Sequence, residues 1–399
     1  MRIALICPEF PPHITGGGGK VFEALAVGYD TRGHRVDVLS ADYTRSAPRF
    51  EHREHGDVYR FRLFPTPKFA PFLRTVLPPV PREAFVLSRI LTEGRYDVAH
   101  LHGFSLPYID IASALCRRAG IPQVLTIHGF PASQNRRSLP LRLAYGAYIH
   151  CFTSPTLGRA RFVTLLSASL RRPILDSCAA RLRVIGNGIG SMAAPKDEVT
   201  DTDVFAVNLL CVGRLAFDKG FQDVIQALPL LRSQCSSLRL TIAGPDHGEQ
   251  RNLERMAAEL APGLVRLPGR WDSTRVATEM HKATAVVVPS HNEPFGLVAL
   301  EAMSVGAAVL AADSGALAEI VRDGVDGISF EARNPRAIAA GIRRLISDGE
   351  LRKRIRRSAP NRAREFQWHP IVDRYLTLLE DAADSYRTEA LLRRGRRKP

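Results

Sequence analysis

The feature that most constrains the fold is an alternation of short apolar runs with longer helical patterns, and this alternation occurs twice along the chain. The first series starts with RIALIC at residues 2–7, and the second starts with VNLLCVG at residues 207–213. Short apolar runs separated by helices predict parallel strands that are covered on both faces. The sequence therefore predicts an α/β chain with two doubly wound, Rossmann-like domains that bind ligands at the carboxyl ends of their strands.

Several local patterns refine this prediction. Residues 21–29 have helical periodicity, VYRFRLF at 58–64 alternates as an edge strand does, and CFTS at 151–154 completes the strands of the first half. DVAHLHG and QVLTIHG predict two buried strands that each end in His-Gly. This ending places His128 where doubly wound domains keep ligands. His100 and His102 end a neighbouring strand, and a structural role is the favoured interpretation for them.

The length of 399 residues exceeds one ordinary core and suits two domains of roughly 200 residues. The polar, acid-containing stretch 195–203 indicates a linker. We predict an N-terminal domain over 1–187, a linker over 188–204, a C-terminal domain over 205–365, a last helix over 366–387 that crosses back to the N-terminal domain, and a basic tail over 388–399.

The formal net charge is +15, and its excess comes from arginine. Residues 134–183 contain nine arginines and a single acid, Asp176. Such a segment suits an anionic membrane surface or a phosphorylated ligand, and a merely solvated surface is the alternative. No helix-turn-helix, zinc-finger or RNA-binding aromatic pattern accompanies the charge, so we expect no nucleic acid as a partner.

The cysteines and the apolar stretches indicate the cellular compartment. The six cysteines show no C-x-x-C spacing and are expected to be reduced thiols. Proline ends the first apolar run too early for a signal peptide, and no stretch reaches the roughly 20 apolar residues of a membrane span. We therefore expect a cytoplasmic protein, with peripheral contact at the inner face of the membrane left open.

The segment PSHNEPFGLVALEAMSVGAAV carries the strongest chemical signal. A helix is expected to start near Gly296, which leaves Glu293 in the preceding loop and Glu301 inside the helix. A loop carboxylate can accept hydrogen bonds from hydroxyl groups, and the outward amides of Phe295, Gly296 and Leu297 favour an anion. Carboxylates for a polyol beside amides for a phosphate suit a sugar nucleotide.

A second segment, CVGRLAFDKGF, places Arg214 and Lys219 in a loop between a strand and a helix. Two cations there can hold a diphosphate, because arginine supplies a planar fork and lysine a point charge. Gly213 and Gly220 allow the backbone to bend closely.

Together with PPHITGG, RGHRVDVL, VIGNGI, LTIAGPD and DGVDGISF, these segments resemble the retaining glycosyltransferases of the GT-B fold, specifically glycosyltransferase family 4. The resemblance covers nearly the whole chain. It implies two Rossmann-like domains facing a central cleft, with the acceptor on the N-terminal domain and a nucleotide-diphospho-sugar on the C-terminal domain. It also implies transfer with retention of the anomeric configuration, without a cofactor or metal.

The resemblance assigns roles by position. Arg214 and Lys219 would bind the diphosphate, Glu293 the hydroxyls of the transferred sugar, and Glu301 the ribose. The amides of Phe295, Gly296 and Leu297 would help hold sugar or phosphate, and His128 would lie beside the reacting sugar. The catalytic set is thus His128, Glu293, Arg214 and Lys219, and the donor-binding set adds Gly16, Gly17, Gly213, Phe295, Gly296, Leu297 and Glu301.

Gly16 and Gly17 belong to HITGGGGKVFE, which is not a nucleoside-triphosphatase loop, because Ile14 and Val21 replace the glycine and the hydroxyl residue of that motif. Backbone without side chains at these glycines would let a loop approach the phosphate. A zinc site at the histidines is not expected, since no H-E-x-x-H or cysteine partner accompanies them.

The predicted function is transfer of a sugar from a UDP- or GDP-sugar to a glycan, lipid-linked or small-molecule acceptor. An epimerase of the same fold that eliminates the nucleotide is one alternative, and a basic nucleic-acid-binding protein is a weaker one.

Overall fold

A computed structural model describes residues 1–12, 17–42, 47–64, 78–130, 139–190, 192, 206–232, 235 and 237–395. The chain separates into two compact units, of which unit 1 comprises Met1–Asn187 and Trp368–Pro399, and unit 2 comprises Gly188–Gln367. Most of the predicted linker and the end of the predicted basic tail lie outside the described residues.

Unit 1 is built on eight strands: β1 (Arg2–Cys7), β2 (Arg35–Asp42), β3 (Phe50–Arg53), β4 (Gly56–Arg62), β5 (Val98–His102), β6 (Gln123–Ile127), β7 (Phe162–Leu165) and β8 (Leu182–Val184). Its helices are α1 (Gly17–Asp30), α2 (Pro81–Glu93), α3 (Pro107–Arg118), α4 (Leu139–Tyr148), α5 (Ser154–Arg159) and the last helix of the chain, α13 (Trp368–Gly395). Two 3₁₀ segments, Ala168–Leu170 and Pro173–Arg181, complete the unit.

The strands of unit 1 lie in the order β3-β4-β2-β1-β5-β6-β7-β8, and every neighbouring pair is parallel except β3 and β4. The run β4-β2-β1-β5-β6-β7 has doubly wound topology, with its switch point between β1 and β5. The prediction of an edge strand over 58–64 is wrong. Strand β3 pairs antiparallel with β4 and covers its outer side, so the alternating pattern reflects two different faces of an inner strand.

The prediction of a strand at CFTS is also wrong. Residues Ile149–Thr153 form a π-helical turn that joins α4 to α5. The turn is held by the buried carboxylate of Asp110, which accepts hydrogen bonds from the hydroxyls of Tyr148, of Thr156 at 2.7 Å and of Thr153 at 3.4 Å. A short apolar run cannot be told from a buried helical turn by periodicity alone.

Helix α13 completes the core of unit 1 although it comes from the end of the chain. A Cβ on Gly28 of α1 would lie 2.5 Å from Cγ2 of Val372, so the glycine allows the two helices to pack closely. Tyr375 is buried against the sheet, where its hydroxyl donates to the carbonyl of Ile185 at 3.2 Å and its ring lies 5.0 Å from that of His100. The last helix is therefore a core element of unit 1.

Unit 2 contains strands β9 (Ala206–Val212), β10 (Ser237–Ala243), β11 (Val265–Gly269), β12 (Ala285–Val288), β13 (Val309–Ala312) and β14 (Ile328–Phe330). Its helices are α6 (Phe221–Ala227), α7 (Gln250–Leu260), α8 (Ser273–Lys282), α9 (Leu297–Ser304), α10 (Leu317–Ile320), α11 (Pro335–Ser347) and α12 (Gly349–Arg364), with 3₁₀ turns at Phe217–Lys219 and Leu228–Leu230.

The sheet of unit 2 is entirely parallel, in the order β11-β10-β9-β12-β13-β14. This order is doubly wound, and its switch point lies between β9 and β12. Strands β12 and β13 are buried at every residue, as expected for a parallel sheet covered by helices on both faces. The topology thus brings the loops after β9 and β12 side by side.

Candidate active site

The loops that follow β9 and β12 meet at the switch point of unit 2. The ammonium of Lys219 lies 2.7 Å from Oε2 of Glu293, and the two side chains are only 19% and 13% exposed. The amide of His291 donates to the carbonyl of Asp218 at 2.9 Å. Two of the residues predicted to bind a donor are therefore paired in this structure, across 74 positions of sequence.

Two glycines make this close approach possible. Gly220 has a φ of +71°, and a Cβ there would lie 2.0 Å from the carbonyl oxygen of Pro289. Gly315 has a φ of +56°, and a Cβ there would lie 2.3 Å from the carbonyl oxygen of Glu293. The same carbonyl of Glu293 accepts from the amide of Ala316 at 2.9 Å, so the loop is fixed from both sides.

Helix α9 begins at Leu297, and Gly296 precedes it with a φ of +96° and without a side-chain cap. Its first-turn amides are therefore not capped by a side chain, and the positive end of the helix dipole lies next to Glu293. Phe295 is buried and packs its ring 6.0 Å from that of Phe366. Glu301 lies half-buried inside α9, as the sequence predicts.

Arg214 follows Gly213, whose φ is +152°, in the loop after β9. Its side chain is exposed and has no ion-pair partner among the described residues. Burial, reinforced by the nearby charge of Arg214, lowers the pKa of His247. The structure therefore places Arg214 beside His247 and does not pair it with Glu293.

Three residues at this site were missed by sequence reasoning. Nε2 of His291 lies 2.7 Å from Oδ2 of Asp223, and the His291 ring packs edge-on to Phe217 at 5.5 Å. This pair ties the loop after β12 to the first turn of α6. The only signal in the sequence was the position of His291, two residues before Glu293.

The histidines of unit 1 lie at the carboxyl ends of β5 and β6. Nδ1 of His102 lies 2.8 Å from Nε2 of His128, and the ring of Phe22 in α1 packs against both, at 4.9 and 5.2 Å. Burial lowers the pKa of His128 to about 4 and holds the pKa of His102 well below its usual range. Both imidazoles are therefore neutral near pH 7.

The hydrogen-bond partners of His102 and His128 indicate which nitrogen of each ring carries the proton. Nε2 of His102 is buried and has no partner among the described residues. A buried lone pair without a partner costs less than a buried N–H without one. Nε2 of His102 therefore carries no proton, its Nδ1–H donates to His128, and His128 keeps its own proton on Nδ1.

The glycine-rich segment differs from the prediction. Helix α1 starts at Gly17, four residues before the predicted start, so Gly17 begins a helix and does not lie in a loop. The amide of Gly19 donates to Oε1 of Glu9 at 3.1 Å, which fixes the first turn. Gly16 lies outside the described residues.

Clusters of metal-ligating side chains and membrane-spanning helices are both absent from the described part of the chain. It contains no group of three or more histidine, cysteine, aspartate or glutamate residues arranged to hold a metal ion. None of its helices combines the length and apolar character needed to cross a bilayer.

Two family models match this chain. Residues 15–190 match the family description "Glycosyltransferase Family 4", and residues 205–362 match "Glycosyl transferases group 1". The chain is a family 4 glycosyltransferase of the GT-B fold. The family matches thus fall on the segments that carry His128, Lys219 and Glu293.

Individual proteins are similar over almost the full length of this glycosyltransferase. A glycogen synthase of Mycobacterium tuberculosis is 29% identical over 93% of this chain and 92% of its own. The structure of a sucrose-phosphate synthase from Thermosynechococcus elongatus superposes with a TM-score of 0.79 at 22% identity, over 96% of this chain and 99% of its own. HepE of Anabaena, in complex with UDP and glucose, gives a TM-score of 0.69 at 20% identity, over 96% and 100%.

Proposed function

We propose that this glycosyltransferase transfers a sugar from a nucleotide-diphospho-sugar to a glycan, lipid-linked or small-molecule acceptor, with retention of the anomeric configuration. The observation that carries the proposal is the pair of Lys219 and Glu293 at the switch point of unit 2. The UDP held by the structurally similar HepE supports a nucleotide donor. UDP- and GDP-sugars are the donors considered first.

The pair has the chemistry that a donor needs. The ammonium of Lys219 can bind the diphosphate and offset the charge that develops on the leaving nucleotide. The carboxylate of Glu293 can accept hydrogen bonds from hydroxyls of the transferred sugar. Until a donor binds, each charge offsets the other, so neither side chain is left uncompensated in its partly buried position.

The remaining residues of unit 2 extend the site. Arg214, exposed in the loop after β9, can supply a second cation for the diphosphate. The amides of Phe295, Gly296 and Leu297 at the start of α9 can hold phosphate or sugar oxygens. Glu301 can accept a hydrogen bond from the ribose. These cations and amides can stabilise the leaving group without a metal ion or cofactor in the reaction.

His128 is proposed as the catalytic residue of unit 1. Its neutral ring, with Nδ1 protonated by the tautomer assignment, can donate a hydrogen bond to a sugar oxygen. A charged imidazolium is not required for this role.

A donor screen tests the proposal. The full chain is incubated with UDP- and GDP-sugars, nucleoside diphosphate release is measured, and the anomeric configuration of any product is read by proton NMR. We expect turnover with one nucleotide class and a product that retains the configuration of the donor. Thermal stabilisation by duplex DNA but by no nucleotide would contradict the proposal, and an inverted product would contradict retention.

We also propose that unit 1 contacts an anionic membrane surface through α4 and the π-helical turn. Leu143 and Phe152 are 67% and 55% exposed, and Arg142 is exposed beside them. Apolar and cationic side chains on one helical segment suit the membrane interface. Flotation with vesicles tests this, and binding that is equal with and without anionic lipid, or unchanged in Phe152→Ser, counts against it.

A further inference from the structure

A cavity of about 530 Å³ opens in unit 1 at the amino ends of β6 and β7. Four arginines line it, Arg117, Arg159, Arg161 and Arg181, and its lining includes no acidic residue from the described part of the chain. Strand β6 separates it from His128, a distance of roughly 15 Å for five residues. The cavity therefore lies at the sheet edge opposite to the one where His128 ends β6.

One of the four arginines already has a counter-ion. The guanidinium of Arg161 binds the carboxylate of Glu389 in a bidentate manner, with Nη2 at 2.7 Å from Oε2. It also lies 5.4 Å from the centre of the Tyr386 ring. Arg161 thus ties α13 to the sheet and is accounted for by the fold.

The other three arginines have no carboxylate bound to them among the described residues. Arg181 donates to the backbone carbonyls of Ala160 and Gly158, and Arg117 is exposed at the end of α3. Nε of Arg159 is buried and has no hydrogen-bond partner in the described part of the chain. Arg159 as a whole is half-buried, and a buried N–H without an acceptor is unfavourable unless a ligand supplies one.

The charges around Arg159 also favour the binding of an anionic ligand. Burial lowers the pKa of Arg159, and the nearby Arg117 lowers it further, while Asp110 acts in the opposite direction. The oxygens of Asp110 are already bound by hydroxyls of α4, the π-helical turn and α5. The hydrogen bonds that Asp110 accepts come from these hydroxyls and not from the guanidinium of Arg159.

Helix dipoles explain only part of this cluster. Arg117 and Arg159 lie in the last turns of α3 and α5, where the helix dipole favours a cation. That effect favours a positive charge at these positions. It does not supply a hydrogen-bond acceptor for the buried Nε of Arg159.

We propose that this arginine-lined cavity binds the phosphate group of a phosphorylated ligand, at a site separate from the donor site of unit 2. Guanidinium groups bind phosphate oxygens through paired N–H donors, which would satisfy Arg159 and offset the repulsion from Arg117. The volume exceeds that of a bare phosphate and lies in the range of small-molecule sites. Tyr386 and Gln123 also line the cavity and border the space left for the rest of the ligand.

The test is calorimetric titration of the full chain with inorganic pyrophosphate at fixed ionic strength. It is done in a Lys219→Met background, which weakens binding at the donor site. We expect saturable binding that Arg159→Gln and Arg117→Gln each weaken at least tenfold. Arg117 is exposed, so its variant keeps the test decisive if Arg159→Gln folds poorly.

Arg183→Gln is the matched control. Arg183 is exposed and belongs to the same arginine-rich segment, and its hydrogen bonds to described residues go to the carbonyls of Ala180 and Leu182. Equal weakening in this control would show that net charge alone is responsible and would overturn the site. Absence of pyrophosphate binding together with absence of vesicle binding would also overturn it.

A vesicle-binding experiment distinguishes a lipid headgroup from a soluble molecule as the source of the phosphate. Sedimentation with phosphatidylcholine vesicles containing phosphatidic acid is compared for the unaltered chain, Arg117→Gln and Arg183→Gln. Vesicle binding that only Arg117→Gln abolishes, without binding of soluble pyrophosphate, supports a lipid headgroup as the ligand. Binding of pyrophosphate with no dependence of vesicle binding on Arg117 supports a soluble ligand.

Discussion

The ammonium of Lys219 and the carboxylate of Glu293 lie 2.7 Å apart, although the two residues come from loops that follow different strands of unit 2. The pair exists because β9 and β12 are neighbours at the switch point and because Gly220 lets the first loop pass against the backbone of Pro289. It brings together a cation and an acceptor that a sugar diphosphate would need at once. A donor that binds as proposed would compete with this ion pair for both side chains.

We expect Lys219→Ala and Glu293→Ala each to lower kcat/KM at least about 100-fold, because each removes a charge that contacts the donor in the proposed site. The fold should survive, with a loss of about 2–3 kcal/mol in the free energy of unfolding, since each variant leaves a largely buried charge without its partner. Steady-state kinetics and urea unfolding measure the two effects. Lys20→Ala, which removes an exposed lysine of α1, is the control, and near-normal turnover in either main variant would exclude that residue from the site.

The contact between His102 and His128 predicts a specific tautomer. In ¹⁵N NMR spectra of the imidazoles, His128 should be neutral and protonated at Nδ1 near pH 7. We expect His102→Leu to lower kcat about tenfold or more with little change in KM, because it removes the donor that orients His128. His102→Asn, whose amide can replace the Nδ1–H, should restore part of the rate. A His128 protonated at Nε2 in the unaltered chain would contradict the assignment.

Burial of neutral histidines predicts acid sensitivity of the fold. Burial lowers the pKa of His100 to about 3 and that of His128 to about 4, whereas an unfolded histidine titrates near pH 6.5. Below about pH 6.5 the unfolded chain binds more protons than the folded chain, so the free energy of unfolding falls as the pH falls. The slope is up to about 1.4 kcal/mol per pH unit for each histidine.

Urea unfolding between about pH 7 and pH 5 measures this slope. His100→Gln should reduce the slope, although it also removes hydrogen bonds to Tyr29 and Thr126 and lowers the stability at pH 7. His369→Gln, which changes a histidine that is 81% exposed, is the control for the loss of an imidazole. A stability that is flat over this range would show that the buried histidines do not control it.

The close approach at Gly220 predicts that an alanine there is costly. We expect Gly220→Ala to lower the free energy of unfolding by about 3 kcal/mol, from the left-handed backbone and the overlap with the carbonyl of Pro289 together. Gly248→Ala is the control, because Gly248 has a φ of +99° with open space around its Cβ position. It should lose about 1 kcal/mol. Equal losses in the free energy of unfolding in the two variants would mean that the backbone near Pro289 moves away from the added methyl group at no cost.

The sequence predicted elements whose signals are local. Helical periodicity predicts helices over residues 250–260 and 335–347, and α7 and α11 have these bounds in the structure. Asn334 caps α11 with its side chain. Helix α12 was missed, because Pro360 lies inside it and its buried face includes small residues such as Ala359 and Ala363. Proline normally ends a helix, and alanines give a weak apolar stripe. Packing against apolar neighbours, and not a local sequence signal, therefore explains why α12 is helical.

The candidate site was predicted residue by residue but not as a set of contacts. Glu293 and Lys219 each stood out by residue type, yet their pairing depends on strand order, which periodicity does not contain. The contact of His102 with His128 depends on the register between β5 and β6, which places His102 opposite Thr126. Neither the order nor the register of a parallel sheet can be deduced from one strand at a time.

The interrupted course of unit 1 along the chain has a consequence for biosynthesis. A ribosome finishes all of unit 2 before it makes Trp368, and at about 5–20 residues per second this takes roughly 10–40 s. During that time the groove beside Gly28 and the ring of His100 lack the cover that Val372 and Tyr375 later provide. The half of the protein that is made first is therefore the half that matures last, and a nascent chain of this enzyme stays exposed to chaperones until its final helix emerges.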